Sequence, residues 1–133
     1  MVPGLRPPPS LKKPALFTAA LIWFLLFQLF PLLPAVAGKY YWVGGSGRWS
    51  EISHWATSSG GNTFHPVVPG PTDTVYFDAN SGFSPGNNQI IINTGATCHT
   101  MIWDGAEANP RLVGEYRQSL TIFGSLDLQE EIG

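Results

Sequence analysis

Side chains that could carry out chemistry are scattered along this chain. The three histidines, His54, His65 and His99, lie far apart and lack the close spacing of a metal site. The carboxylates form no repeated pair along one strand, although such pairs perform the acid–base steps of glycan cleavage. Ser46 lies in Gly-Gly-Ser-Gly, but the strand–turn–helix pattern of a nucleophile elbow does not surround it. We therefore predict that the protein is not an enzyme and needs no cofactor. A fragment of a β-helix enzyme that cleaves glycans is kept as an alternative.

Asp78 and Asn80 are the residues that could supply oxygen ligands to a cation. They alternate in Asp78-Ala79-Asn80, and Ca²⁺ prefers carboxylate and amide oxygens. The other ligands of an EF-hand loop are missing, and an aspartate that follows a strand commonly stabilises a turn. The turn role is the preferred interpretation, and a calcium site at Asp78 and Asn80 is the alternative.

Residues 40–61, YYWVGGSGRWSEISHWATSSGG, contain three tryptophans and two Gly-Gly pairs. Each ring of Trp42, Trp49 and Trp55 can bury roughly 150–250 Å². The preferred interpretation is that the three rings form the core of a small N-terminal cap. In the alternative, one or more of them stacks against a sugar or peptide, as in a carbohydrate-binding module, or contacts another subunit.

Local patterns predict the backbone of this cap. Residues 40–43 are large and favour strands, whereas the glycines of residues 44–47 interrupt the strand. Residues 48–50 are predicted to return as a second strand after a tight turn. A further turn would then bring Trp49 and Trp55 to the same side.

The stretch YWVGGSGRWSEISHWATSSGGNTFH, followed by Val75-Tyr76-Phe77-Asp78, resembles a module of large secreted bacterial surface proteins. Members of this adhesin-like family typically read YWVGGSG, then W-S, then HW, and then a D-x-V-x-F-D strand. They often end in a gliding-motility-type sorting domain. The resemblance covers about residues 40–128. It implies an exported, non-enzymatic surface module from the N-terminal part of a longer repetitive protein.

The first 37 residues have the pattern of a secretory signal. Basic residues precede an apolar run over residues 15–33, and the small residues of Ala35-Val36-Ala37 follow. We expect cleavage between Ala37 and Gly38 and a protein that is secreted or displayed at the cell surface. An uncleaved leader is the alternative, because the apolar run is just long enough to span a membrane. Contact with a membrane is expected only through this leader.

The predicted mature chain is acidic. It carries four basic and nine acidic residues, a formal charge of −5, which argues against binding to nucleic acid. Cys98 is the single cysteine, so a disulfide within the chain is impossible. A buried thiol is the preferred interpretation, and a disulfide to another chain is the alternative.

The remaining sequence predicts an all-β fold. Short runs of β-favouring residues alternate with turns rich in Gly, Pro, Asn and Asp over residues 74–77, 89–93, 98–103, 111–113, 118–123 and 126–128. Strands recur from Ile90 to Leu120 and from Met101 to Leu126, a spacing that fits the coils of a β-solenoid. A β-sandwich is the alternative. We expect a cap at residues 38–61 and coils at 62–133, truncated at the C-terminal side.

These observations favour a secreted, adhesin-like surface module. Its partner would be a glycan or another component of the cell surface or matrix. The last coil, SLTIFGSLDL at residues 119–128, is expected to allow self-association, because an open strand edge recruits other chains.

Overall fold

The structure is a computed structural model that describes Gly4 and residues 36–129. The apolar run at 15–33 and the acidic pair Glu130-Glu131 lie outside the described residues. In the described part of the chain, no helix is long and apolar enough to cross a membrane. These residues form an all-β fold with eight strands and one single-turn 3-10 helix, Ile52–His54.

The strands form two sheets. In chain order they are β1 Lys39–Trp42, β2 Gly47–Arg48, β3 Trp55–Ala56, β4 Thr74–Asp78, β5 Gln89–Ile92, β6 Ala96–Asp104, β7 Arg111–Gly114 and β8 Leu120–Gln129. One sheet has five strands in the order β3-β1-β4-β6-β8, and the other has three in the order β2-β5-β7. Most predicted strands coincide with observed ones, because each run of β-favouring residues ends at a turn sequence. The sequence does not predict β3, and the predicted runs at 118–123 and 126–128 form the single strand β8.

Parallel pairing dominates both sheets. β1, β4, β6 and β8 pair in parallel, as do β2, β5 and β7, whereas β3 runs antiparallel to β1. After β4 the chain alternates between the sheets, so each new strand adds beside the previous strand of its own sheet. The register aligns equivalent side chains in columns, such as Tyr40, Val75, Met101 and Leu126.

Side chains from both sheets share one apolar core. Val75 and Phe77 of β4 are buried and alternate with half-buried neighbours, as a strand with one core-facing side requires. Ile90 and Ile92 of β5 are also buried, while Ile91 is half-buried on the opposite side. The core consists of Tyr40, Trp42, Trp49, Trp55, Val75, Phe77, Phe83, Ile90, Ile92, Ala96, Cys98 and Met101.

The sequence predicts that residues 48–50 return alongside residues 40–43 after the Gly-Gly turn, and this pairing is wrong. Gly44 and Gly45 have φ values of 88° and 71°, and the Gly45 amide donates to the Ser81 carbonyl oxygen at 2.9 Å. Only glycine adopts two such left-handed conformations in succession without strain. The chain therefore turns a corner into the other sheet, where β2 pairs with β5 instead of returning along β1.

β8 continues through the Gly124-Ser125 interruption expected from the sequence. The register with β6 shifts between Cys98 and Thr100, so an extra residue of β8 lies opposite His99. A Cβ at Gly124 would lie 2.8 Å from the His99 carbonyl oxygen. Glycine is thus required because the backbone of β6 comes so close.

We predict that Gly124→Ala destabilises the protein by about 1–3 kcal/mol, because the added methyl group forces two strand backbones apart. Denaturant unfolding measures this loss. Gly114→Ala is the matched control, since Gly114 also lies in an end strand and a Cβ there meets no atom within 4 Å. Equal stability of the two variants would contradict the close packing of β8 on β6.

Candidate functional site

Trp42, Trp49 and Trp55 form a cluster at the β3 end of the five-stranded sheet. All three residues are 0% exposed. The ring centroids of Trp42 and Trp55 are 5.0 Å apart at an interplanar angle of 84°, and those of Trp49 and Trp55 are 4.7 Å apart at 68°. Edge-to-face contacts of this kind stabilise aromatic pairs beyond the burial of their area. The prediction that these rings form a core is confirmed.

Backbone carbonyl groups nearby hold two of the three indoles. Trp42 Nε1 donates to the Gly45 carbonyl oxygen at 2.7 Å, and Trp55 Nε1 donates to the Trp49 carbonyl oxygen at 2.8 Å. Trp49 Nε1 is buried and has no hydrogen-bond acceptor among the described residues, which costs about 1–3 kcal/mol. Two indole groups of residues 42–55 are thus held by hydrogen bonds to backbone carbonyl groups of the same segment.

The His54 ring completes the cluster by packing between Trp42 and the glycines Gly44 and Gly47. Its ring stacks on Trp42 with a centroid separation of 4.5 Å and an angle of 7°. Nδ1 lies 2.5 Å from the Val43 carbonyl oxygen, and Nε2 lies 3.1 Å from a carboxylate oxygen of Glu51. A Cβ at Gly47 would overlap the His54 ring, so the glycine makes room for the histidine.

The sugar-stacking role predicted as an alternative for Trp42, Trp49 and Trp55 needs correction. A stacking platform requires a ring face open to solvent, and these three rings have none. The same burial removes them as direct contacts to another subunit. Their contribution is to packing at this end of the protein.

The other two histidines lie apart from His54. His65 stacks on Tyr40 with a centroid separation of 3.7 Å, and its Nε2 lies 2.8 Å from the Lys39 carbonyl oxygen. His99 is exposed, and its Nδ1 lies 3.0 Å from the Thr100 hydroxyl oxygen. Across residues 36–129, no group of three or more His, Cys, Asp or Glu side chains could hold a metal ion.

Asp78 and Asn80 belong to a hydrogen-bonded turn. Asp78 Oδ1 accepts from the Asn80 backbone amide at 2.9 Å, and Oδ2 accepts from the Ser59 hydroxyl at 2.6 Å. Asn80 Nδ2 also donates to the Ser59 hydroxyl oxygen at 3.0 Å. This geometry supports the turn role, because both carboxylate oxygens connect β4 to neighbouring loops. Calcium binding by Asp78 and Asn80 stays an untested alternative.

Cys98 is buried within β6. Burial raises the pKa of its thiol to about 11, so the unreactive protonated form predominates at neutral pH. The alternative of a disulfide to another chain requires an accessible thiol, and Cys98 is 0% exposed.

The opposite end of the sheets holds a cavity of about 890 Å³ that the sequence did not predict. Leu126 and Leu128 at this end are 52% and 64% exposed, and Leu112 of β7 is 38% exposed. Trp103 also lines the cavity and stacks on Phe77 at a centroid separation of 4.2 Å. We call this region the open end. Its lining residues are Met101, Trp103, Gly105, Ala106, Asn109, Pro110, Arg111, Leu112, Leu120, Ile122, Leu126, Leu128 and Gln129.

The two ends therefore differ in how they meet solvent. The tryptophan cluster covers one end, whereas β7 and β8 have no neighbouring strand on their outer side in the described part of the chain. No family model, curated protein or solved structure matches this chain. The resemblance to adhesin-like surface proteins stays a prediction.

We predict that Trp49→Ala destabilises the protein by about 3–5 kcal/mol, because truncating a buried aromatic side chain leaves a cavity. A domain of this size has about 5–15 kcal/mol in total, so the melting temperature should fall sharply. Near-ultraviolet circular dichroism during heating measures this change. Tyr116→Ala is the control, since Tyr116 is 83% exposed. An unchanged melting curve for Trp49→Ala would contradict the core role of this ring.

Proposed function

We propose that this protein is a secreted, non-enzymatic surface module of the adhesin-like type, built as a short β-solenoid. The observation that carries this proposal is the difference between the two ends. A buried aromatic cluster closes one end, and an apolar groove beside two strand edges lies at the other. A module with one closed and one open end is suited to add to further β structure, as an end unit of a repetitive surface protein does.

Strand pairing supports a solenoid in preference to a β-sandwich. Strands joined by tight hairpins pair antiparallel, as in the common β-sandwiches. Here the strands on successive passes pair in parallel, and the chain visits the two sheets in turn. That arrangement is typical of coils that stack along one axis, with the antiparallel β3 added as part of the cap.

The lining of the open end supports binding in preference to cleavage. Glycan-cleaving enzymes place two carboxylates at the groove. The side chains that line this cavity are mostly apolar, and none of the described lining residues is an Asp or Glu. A partner at this surface would be recognised mainly by apolar contact and backbone hydrogen bonds. We place the protein outside the cytoplasm on the strength of its leader sequence and the adhesin-like resemblance.

If the leader directs export, the mature protein should begin at Gly38. N-terminal sequencing of the exported form after expression of the full chain checks this expectation. Ala37→Leu is the control, because a large side chain before the cleavage site prevents processing and should leave a longer protein. Intact full-length chain in the membrane fraction would instead support the uncleaved anchor.

We expect the mature protein to self-associate through the open end as salt rises or as the pH falls toward 4. Asp127 is the only charged residue in β8, and Glu130 and Glu131 follow it in sequence. Screening or protonation removes the repulsion between these like charges. Light scattering measures the association.

Leu126→Glu should suppress the salt-dependent association at pH 7, because it places a carboxylate among the exposed leucines and its burial costs hydration that salt does not restore. Val67→Glu is the matched control, since Val67 is 61% exposed but lies in the loop between β3 and β4 and does not line the open end. A mature protein that stays monomeric under all these conditions would argue against the open end as a contact surface.

A further inference from the structure

Asp73 holds a fixed position immediately before β4. Its Oδ1 accepts from the Gly38 backbone nitrogen at 2.7 Å, and its Oδ2 accepts from the Gly70 amide at 2.7 Å. Its carbonyl oxygen accepts from the amides of His99 and Thr100 at 2.7 and 3.3 Å. β6 thus holds the backbone of Asp73, the Gly70 amide of its own loop holds one carboxylate oxygen, and the other carboxylate oxygen accepts from the Gly38 nitrogen.

Gly38 is fitted closely to this carboxylate. The Thr74 amide donates to the Gly38 carbonyl oxygen at 2.9 Å, which starts the pairing of β1 with β4. A Cβ at Gly38 would lie 2.9 Å from Tyr40 Cε2 and 3.2 Å from Asp73 Oδ1. A glycine at this position therefore lets its nitrogen approach the carboxylate without a steric clash.

The two described residues directly before Gly38 are exposed to solvent. Ala37 is exposed, and Val36 is 90% exposed. Val36 and Ala37 therefore contribute little to the described core. Their removal would leave the Gly38 nitrogen in place beside Asp73.

We propose that Asp73 is the receptor for the α-ammonium group that removal of the signal peptide creates at Gly38. This inference rests on the proposed export. Hydrolysis of the Ala37–Gly38 bond consumes one water: its oxygen bonds to the Ala37 carbonyl carbon, and both of its protons end on the Gly38 nitrogen. A neutral amide donor thereby becomes a cation 2.7 Å from Asp73 Oδ1. Charge-assisted hydrogen bonds of this kind are roughly twice as strong as neutral ones.

The negative charge of Asp73 is available for such a partner. Among the described residues, no Lys, Arg or His side chain forms an ion pair with Asp73. Asp73 is half-buried. Burial, followed by the charge of Asp73, raises the pKa of the nearby Tyr40 hydroxyl. An ammonium group at Gly38 would supply the counter-charge that no described Lys, Arg or His side chain supplies to Asp73.

This arrangement would link processing to folding. The Gly38 ammonium would attach the start of β1 to Asp73, and Asp73 in turn contacts β6 through its carbonyl oxygen. The processed chain would therefore gain stability at the junction of three strands, whereas the precursor would keep only the neutral hydrogen bond. The fold would reach its full stability only after the leader is removed.

A double-mutant cycle on the exported full-length gene product tests the proposal. Four proteins are compared: the natural sequence, a variant with one serine inserted between Ala37 and Gly38, Asp73→Asn, and the combination of both changes. Mass spectrometry verifies each N-terminus. The insertion moves the ammonium group away from Asp73, and the isosteric Asp73→Asn removes the charge.

We expect the insertion to lower the melting temperature by roughly 4–8 °C when Asp73 is present, the shift typical of about 1 kcal/mol in a domain of this size. In the Asp73→Asn background the same insertion should change it far less, because coupling between two groups disappears when either is removed. Equal shifts in the two backgrounds would overturn the proposal.

The pH dependence gives a second measurement that needs no Asp73 variant. The unperturbed α-amino pKa is about 8, and a nearby carboxylate raises it in the folded protein. The contribution of the ion pair is therefore complete below about pH 8 and is lost as the pH rises through the folded-state pKa. The stability difference between the natural and inserted N-termini should shrink from pH 7 to about pH 10. Lys39, His65 and His99 lie near this site in both proteins, and Tyr40, whose hydroxyl pKa is raised by burial and then by the charge of Asp73, stays neutral over this range.

A difference that does not change with pH would overturn the ion pair and indicate only a steric effect of the inserted residue. An exported protein that begins at a residue other than Gly38 would overturn the proposal at the processing step. The proposed export is judged separately, by whether the protein leaves the cytoplasm at all.

Discussion

Parallel strands that stack in two facing sheets create an interior with two ends, and each end must be kept from water. Within the stack, each strand forms its backbone hydrogen bonds with neighbouring strands and packs its side chains against theirs. At an end, half of those backbone groups and one side of the apolar interior have no partner. In residues 36–129, the two ends are covered to different extents, and the rest of the architecture follows from this difference.

The N-terminal end is closed with aromatic rings and the short antiparallel strand β3. Trp42 lies in β1 and Trp55 in the neighbouring β3, while Trp49 comes from the segment between β2 and β3 and packs against Trp55. Their large area makes a short segment sufficient, because few residues need to be ordered for the surface that they bury. His54 then fixes the segment against the glycine corner, where its ring stacks on Trp42 and its Nδ1 lies beside the Val43 carbonyl oxygen.

The strands and the burial of the tryptophans could be predicted from the sequence, because both depend on residue type and local alternation. The direction of the chain after Val43 could not. A Gly-Gly pair permits either a hairpin or a corner, and the choice here depends on the bond from the Gly45 amide to Ser81, far along the chain. Residue type alone carries no information about a partner at that distance.

The roles of His54 and Asp73 were missed for a related reason. Sequence spacing rejects His54 as a metal ligand and assigns no role to Asp73, whereas tertiary contacts decide what each does. The sequence did contain a signal for His54, since glycines occur at both positions that its ring approaches, Gly44 and Gly47. For Asp73 the partner is Gly38, which lies 35 residues earlier in the chain. Nothing in the local pattern around either residue indicates that pairing.

The geometry of the open end limits which kinds of partner could cover it. β8 is the longest strand, with ten residues, and its outer edge offers backbone donors and acceptors along that length. The columns that begin at Tyr40 and Phe77 end here at Leu126 and Leu128. A strand with apolar side chains at alternate positions would cover both leucines while its backbone pairs with β8. A compact ligand could fill the cavity, but it would leave most of this strand edge unpaired.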